Sequence, residues 1–271
     1  MPYVQQITNE TMPLVNLINQ NFEKYLSQNQ SNQRPWFFLH IPKTAGSSFG
    51  QELSEINRPF HNIHTDADDR PVPHQQKLVD AIRNFNQLHK RDKFGFASGH
   101  VPVTDLVTEL ENWEDFNLIT MLRDPVRRTI SDYRYQRTPM HPRFREFSAE
   151  FPTLEAYLET DDARNKMFQF LRPFPSAGVD DCVKFLVERF SFIGAVEMYP
   201  LSFRVVTRLM GHEGAPVRYD RRTPDTEFNR VELTPKLIAY IRQINALDVA
   251  IFDFFCSALR AARPFVLGAA S

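Results

Sequence analysis

Residues 36–49 read WFFLHIPKTAGSSF. A short aromatic-rich apolar run, WFFLHI, predicts a buried strand. It ends at a proline and a lysine, and a helical pattern resumes from about Gly46. A strand that breaks into a lysine-bearing loop and restarts as a helix is built to hold an anion, because the first N–H groups of a helix have no intrahelical acceptor. The loop is not a Walker A sequence, G-x-x-x-x-G-K-[ST], since Lys43 precedes Gly46. The same physics is available: Gly46 for a sharp turn and a close approach to a ligand, Ser47 and Ser48 as hydroxyl donors, Lys43 as a mobile charge. The plain alternative is a strand-to-helix turn with a surface lysine.

Working outward, the same alternation recurs. KFGFASGH (93–100) is a short strand ending in Gly99 and His100, FNLITML (116–122) a buried strand, and SFIGAV (191–196) a further strand-like run. Arg123-Asp124-Pro125 stops the second of these, with Asp124 as N-cap and Pro125 as first residue of the helix PVRRTISDYRYQR. An aspartate ending an apolar strand could also serve Mg²⁺ in an NTPase, but the cap explains Asp124 better. Residues 75–90, most of 154–190 and PLSFRVVTRLM read as helical, 211–230 as a long loop, and 234–262 as a long, bent helix. Strands alternating with helices predict an α/β fold, a three-layer arrangement of a parallel sheet flanked by helices. Ligands of such sheets bind beyond the carboxyl ends of the strands, which puts the loops after Ile41, Ala97 and Leu122 around one crevice. Ahead of this domain (36–271), residues 1–35 are expected to form an appendage. Its amphipathic helix carries Leu14, Val15, Ile18, Phe22, Tyr25 and Leu26 on one stripe, and a polar linker follows. The helix would pack on the main domain or on a second copy of the chain.

The totals narrow the function. The 271 residues carry 32 Lys+Arg against 33 Asp+Glu, a formal net charge of −1, which weighs against a nucleic-acid binder working by bulk charge. Cys182 and Cys256 lie in apolar, helix-like stretches and read as buried thiols rather than a disulfide framework, as in a reduced cytoplasmic protein. The first residues lack the features of a signal peptide, and no run approaches the ~18 apolar residues of a membrane span. His61, His64 and His74, with Asp66, Asp68 and Asp69, fit no common zinc spacing and read as a polar loop that helps receive a substrate. No metal is expected.

HIPKTAGSSF and LRDPVRRTISDYRY, in this order and each after a strand, resemble the 5′-phosphosulfate loop and the 3′-phosphate motif of sulfotransferases that use 3′-phosphoadenosine-5′-phosphosulfate (PAPS). The likeness is to the branch that includes the heparan sulfate 2-O-sulfotransferases, and it runs from about Trp36 to Phe255. It implies a P-loop nucleotide-kinase-like sulfotransferase fold, with PAPS as donor and 3′-phosphoadenosine-5′-phosphate (PAP) as product. It assigns Lys43, Thr44, Ala45, Gly46, Ser47 and Ser48 to the 5′-phosphosulfate, and Arg123 and Ser131 to the 3′-phosphate. Arg123 ends a strand and Ser131 lies two turns into the next helix, so both can face one phosphate. FASGHV matches the part of the pattern that carries a catalytic histidine, which makes His100 the base and Lys43 its catalytic partner. A loop at the position of Arg218, Arg221 and Arg222 covers the nucleotide in related enzymes, so Arg221 or Arg222 could meet the 3′-phosphate. Arg127 and Arg128 read as solvated helix charges, with support of the nucleotide by one of them as the alternative, His40 as packing on the loop, and Arg164 and Asn165 as acceptor-side candidates. The implied acceptor is a hydroxyl on a carbohydrate, a glycolipid or a small alcohol. Two rivals stand beside this reading: an ATP-dependent small-molecule kinase and a catalytically inactive nucleotide-binding protein.

Overall fold

The computed structural model describes residues 13–30, 33–65, 72–217 and 226–267. Five strands, β1 (Trp36–Leu39), β2 (Phe60–Ile63), β3 (Phe96–Gly99), β4 (Asn117–Leu122) and β5 (Phe190–Ala195), form one sheet in the order β2-β3-β1-β4-β5, with every pairing parallel. Every residue of β1, β3, β4 and β5 is buried, as expected of parallel strands covered on both faces. The apolar runs read from the sequence are these four strands. The fifth, β2, falls in the stretch read as a polar loop. Its sequence FHNI buries fully only Ile63, so an edge strand with one covered neighbour leaves little apolar signal. Asp66, Asp68 and Asp69 lie outside the described residues.

The helices are α1 (Pro13–Ile18), α2 (Phe22–Gln30), α3 (Gly46–Ile56), α4 (His74–Asp92), α5 (Val103–Glu109), α6 (Pro125–Gln136), α7 (Phe144–Glu150), α8 (Leu154–Leu158), α9 (Lys166–Leu171), α10 (Val179–Arg189), α11 (Tyr199–Leu209), α12 (Pro235–Ile244), α13 (Ala246–Ala261) and α14 (Arg263–Leu267). The single N-terminal helix expected to carry the stripe from Leu14 to Leu26 is two, broken where Gln20 takes φ 60°. Leu14, Val15, Leu17 and Tyr25 join the main core, and the Tyr25 hydroxyl donates to the Ser191 carbonyl at 2.9 Å. The C-terminal helix bends at Asn245, between α12 and α13. Cys182 and Cys256 are buried free thiols, each pushed up to about 12 by burial.

Topology positions the site. The chain leaves β1 toward β2 on one side and crosses from β3 to β4 on the other, so β1 and β4 flank the point where the strand order reverses. Open parallel sheets bind ligands at such a crevice. No described helix is long and apolar enough to cross a membrane.

Candidate active site

The loop after β1 is shaped by residues other than the glycine. Lys43 (φ 70°) and Ala45 (φ 59°) both adopt the left-handed conformation, which costs a non-glycine residue ~1–2 kcal/mol and persists where neighbours over-determine it. Thr44 is fully buried, and its hydroxyl donates to the Ile41 carbonyl at 2.9 Å. Gly46 opens α3 for a different reason from the turn expected of it. A Cβ there would sit 1.9 Å from Cδ2 and 2.1 Å from Nε2 of the His40 ring. Gly46 makes room for His40, which fills the space between the loop and the next strand.

Opposite this loop stands α6. The Asp124 carboxylate caps it, accepting from the Arg127 N–H at 2.9 Å, and Pro125 is its first residue. Arg123 turns back to the loop and donates through Nη1 to the Lys43 carbonyl at 3.0 Å, so the lysine and the arginine form one unit. Among the described residues its buried Nε has no acceptor. The Lys43 ammonium lies 3.7 Å from the centroid of the Tyr135 ring. Burial holds its pKa down at about 8; Arg123 and Arg128 push the same way and Asp132 opposes.

Arg128 is not the solvated charge its sequence context suggested. It is fully buried, and Nη1 donates to Asp132 Oδ2 at 3.3 Å. The Tyr157 hydroxyl donates to the same oxygen at 3.1 Å. Nε and Nη2 of Arg128 have no acceptor among the described residues. Arg128 also lowers the pKa of the buried Asp248 carboxyl, which burial pushes up to about 6 and which caps α9 by accepting from the Met167 and Phe168 N–H groups. Arg128, Ser131, Asp132 and Tyr135 recur at the spacing of one helical face. That stripe was the signal for a second polar surface, and a reading residue by residue passed over it.

The third component comes from β3. Gly99 pairs with Ile63 of β2, and a Cβ on it would lie 2.8 Å from the Ile63 carbonyl oxygen. The next residue, His100, places Nδ1 2.6 Å from the carbonyl oxygen of His40. A carbonyl only accepts, so Nδ1 carries the proton and Nε2 keeps a free lone pair. The ring lies 4.2 Å from that of His40, centroid to centroid. His100 is exposed by surface area, with the His40 ring and carbonyl packed against one side of it. Burial lowers its pKa, the bond to His40 acts the other way, and His64 and His74 lower it further. His40, deeper, is held well below the usual histidine range by burial and by the neighbouring His100 and Lys43.

The sequence pattern described as the sulfotransferase family matches residues 30–255. The chain belongs to the sulfotransferase family. A curated relative, heparan-sulfate 6-O-sulfotransferase 1-A of Danio rerio, is 31% identical over 110 residues, which is 36% of this chain and 26% of that protein. The chain thus matches about a quarter of the relative's length. By its name the relative acts at a 6-O position, whereas the sequence likeness was drawn to a branch named for 2-O enzymes.

Within this member of the family the expected site residues gather unevenly. Lys43, Arg123 and His100 meet around the β1 loop. Ser47 is exposed and Ser48 half-buried at the start of α3, and Ser131 is half-buried on the lysine-facing stripe of α6. Thr44 is fully buried, and its hydroxyl is spent on the Ile41 carbonyl. Arg218, Arg221 and Arg222 lie outside the described residues. Arg164 pairs with Glu159 at 3.5 Å. The Asn165 amide donates to the Ile244 carbonyl and accepts from the Leu247 N–H, which ties α9 to α13. His61 packs on Phe85 and Phe94. Among the described residues no group of His, Cys, Asp or Glu is arranged to hold a metal ion.

Proposed function

We propose that the protein transfers a sulfuryl group from PAPS to an acceptor hydroxyl, with His100 as the base and Lys43 and Arg123 as the charges that meet the donor. One observation carries this reading. His100 is bonded to the carbonyl of His40, three residues before a lysine whose own carbonyl is held by Arg123. A base and a cluster of cations thus share one short loop. PAPS, when bound, supplies the activated sulfuryl group and a phosphate leaving group.

The residues suit such an anion. The start of α3 presents N–H groups beside Ser47 and Ser48, the Arg123 Nε lacks an acceptor, and the Lys43 ammonium has a ring but no carboxylate partner among the described residues. His100 Nε2 takes the acceptor proton as oxygen bonds to sulfur, work that a neutral imidazole suits. Lys43 neutralises charge on the phosphate oxygen released when the old sulfur–oxygen bond breaks, and fixed donors of this kind stabilise developing charge strongly. Positioning and electrostatics supply the rest.

For the acceptor we favour the cleft of about 360 Å³ at the end of β2. It is lined by His61, Asn62, His64, Thr65, Lys77 and Asp80, among others. The pairing of Ile63 with Gly99 brings its rim beside His100. Amides, a hydroxyl, imidazoles, one lysine and one aspartate suit a weakly charged, hydroxyl-rich molecule, a carbohydrate before a polyanion. The kinase alternative wants an aspartate for Mg²⁺ after β4. Asp124 is there, but its carboxylate caps α6 and faces Arg242 at 3.9 Å.

The test incubates the protein with sulfur-labelled PAPS and a panel of sugars, glycolipids and small alcohols, and weighs the labelled product. Label should reach a carbohydrate with EDTA present, and calorimetry should show PAP binding tighter than AMP. A charged hydrogen bond to the 3′-phosphate contributes roughly 1.5–3 kcal/mol, so Arg123→Ala should erase about 10–100-fold of that preference. Equal affinity for PAP and AMP in the native protein, or turnover of ATP that requires Mg²⁺, would overturn the reading.

A further inference from the structure

We propose that Tyr135 is a positioning residue for Lys43, its ring face holding the ammonium where the transfer needs it. The inference rests on the sulfotransferase reading for its catalytic consequence, but the contact itself can be tested without it. The ammonium stands 3.7 Å from the ring centroid, well inside the ~6 Å reach of a cation–π interaction.

The choice of partner matters chemically. Lys43 is partly buried beside Arg123 and Arg128, surroundings that disfavour its charged form. A carboxylate would restore the charge, but it would occupy the N–H groups and compete with an anionic donor. Asp132, the acid that acts on Lys43, has one oxygen already engaged by Arg128 and Tyr157. An aromatic face supports the cation through its quadrupole, adds no negative charge to compete with the donor, and leaves the ammonium hydrogens that point away from the ring for an anion.

The ring is itself fixed. Its hydroxyl donates to the Met140 carbonyl at 3.4 Å, and the His141 ring meets it edge-on at 5.5 Å. Tyr135 lies one turn beyond Ser131 on the face of α6 that also carries Arg128 and Asp132. It sits where the loop's only long, mobile cation comes to rest.

The experiment uses the whole chain with its lysines converted to ¹³C-dimethyl-lysine, the Lys43 signal being assigned with Lys43→Arg. In the native protein that signal should be shifted upfield of the other lysines by the ring current. Tyr135→Phe should keep the shift and Tyr135→Leu should lose it. In turnover assays of unmethylated protein, Tyr135→Leu should lower kcat roughly ten-fold with KM for PAPS nearly unchanged, and Tyr135→Phe should restore it. A role in packing alone would move melting temperature and KM together and leave the Phe and Leu variants alike. An unshifted Lys43 signal in the native protein, which needs no variant to fold, overturns the proposal. So does a Phe variant as impaired as Leu. If no sulfuryl transfer is found at all, the sulfotransferase reading fails while the resonance still decides the contact.

Discussion

The two sides of the crevice are built differently. On the proposed donor side, between β1 and β4, almost everything is fixed. Two residues are held in left-handed conformations, one arginine is bound to the loop's backbone, and a second is fully buried behind it. On the proposed acceptor side, between β2 and β3, the proposed base His100 is exposed and the cleft is lined by side chains of an edge strand and the face of α4. A donor of constant chemistry can be met by backbone and buried charge, set in place during folding. An acceptor is met by side chains at an edge, where a substitution disturbs little else. The contrast teaches where specificity and rate should separate when residues are replaced.

The largest expected effect lies at the boundary between the two sides. His100→Ala removes the proposed base but leaves the donor loop, apart from one hydrogen bond to the His40 carbonyl. Turnover should fall by about 10²–10⁴, while PAP affinity by calorimetry and the melting temperature stay near native. A variant that loses nucleotide binding and stability together would make His100 a structural residue of the donor side and break the comparison.

Next comes Arg128, which acts on stability rather than rate. Arg128→Met keeps the volume but leaves Asp132 and the buried Asp248 without their cation. Breaking a buried charge pair on one side costs about 3–5 kcal/mol, to be read as a lower urea midpoint. A midpoint unchanged from native would mean that the buried arginine does not hold the donor side rigid.

These two residues also mark how far the sequence could be read. The strand-and-helix order was legible because β1, β3, β4 and β5 are buried on both faces and therefore apolar throughout. Strand β2 was not, because an edge strand reading FHNI has no apolar run to show. That Lys43, Arg123 and His100 come together was legible because Arg123 and His100 directly follow β4 and β3 and Lys43 lies in the loop after β1, so chain order alone brings them to one edge of the sheet. Arg128 was misread because burial of a cation depends on what packs over it. Its counter-ions are Asp132, four residues on, and Asp248, from a helix 120 residues away in the chain. Tyr135 went unnoticed because nothing in its neighbours announces an aromatic ring facing a lysine from a different strand's loop. At Gly46 the sequence could not show that the missing Cβ makes room for the His40 ring, or that the positive φ angles of the turn fall on Lys43 and Ala45.

The smallest effect, and the sharpest, is in the pH profile. The His100 pKa is lowered, chiefly by burial, so Nε2 stays unprotonated as pH falls past the ordinary histidine value of about 6.5. The acid limb of kcat/KM should therefore lie below that value. Lys43 is held down at about 8, so its ammonium, and the charge it offers the leaving phosphate, is lost as pH rises through about 8. The alkaline limb of kcat/KM should appear there, because that ratio reports the free enzyme. With donor bound, the nearby phosphates favour the ammonium, and the alkaline limb of kcat should move to higher pH. Tyr135→Leu withdraws support from the charged form and should move the kcat/KM limb lower, whereas Tyr135→Phe should leave it in place. A kcat/KM profile flat between about 7 and 9 would mean that the Lys43 charge is not what the donor side contributes. The rigid half of the crevice would then be a binding surface only, with the chemistry left to His100.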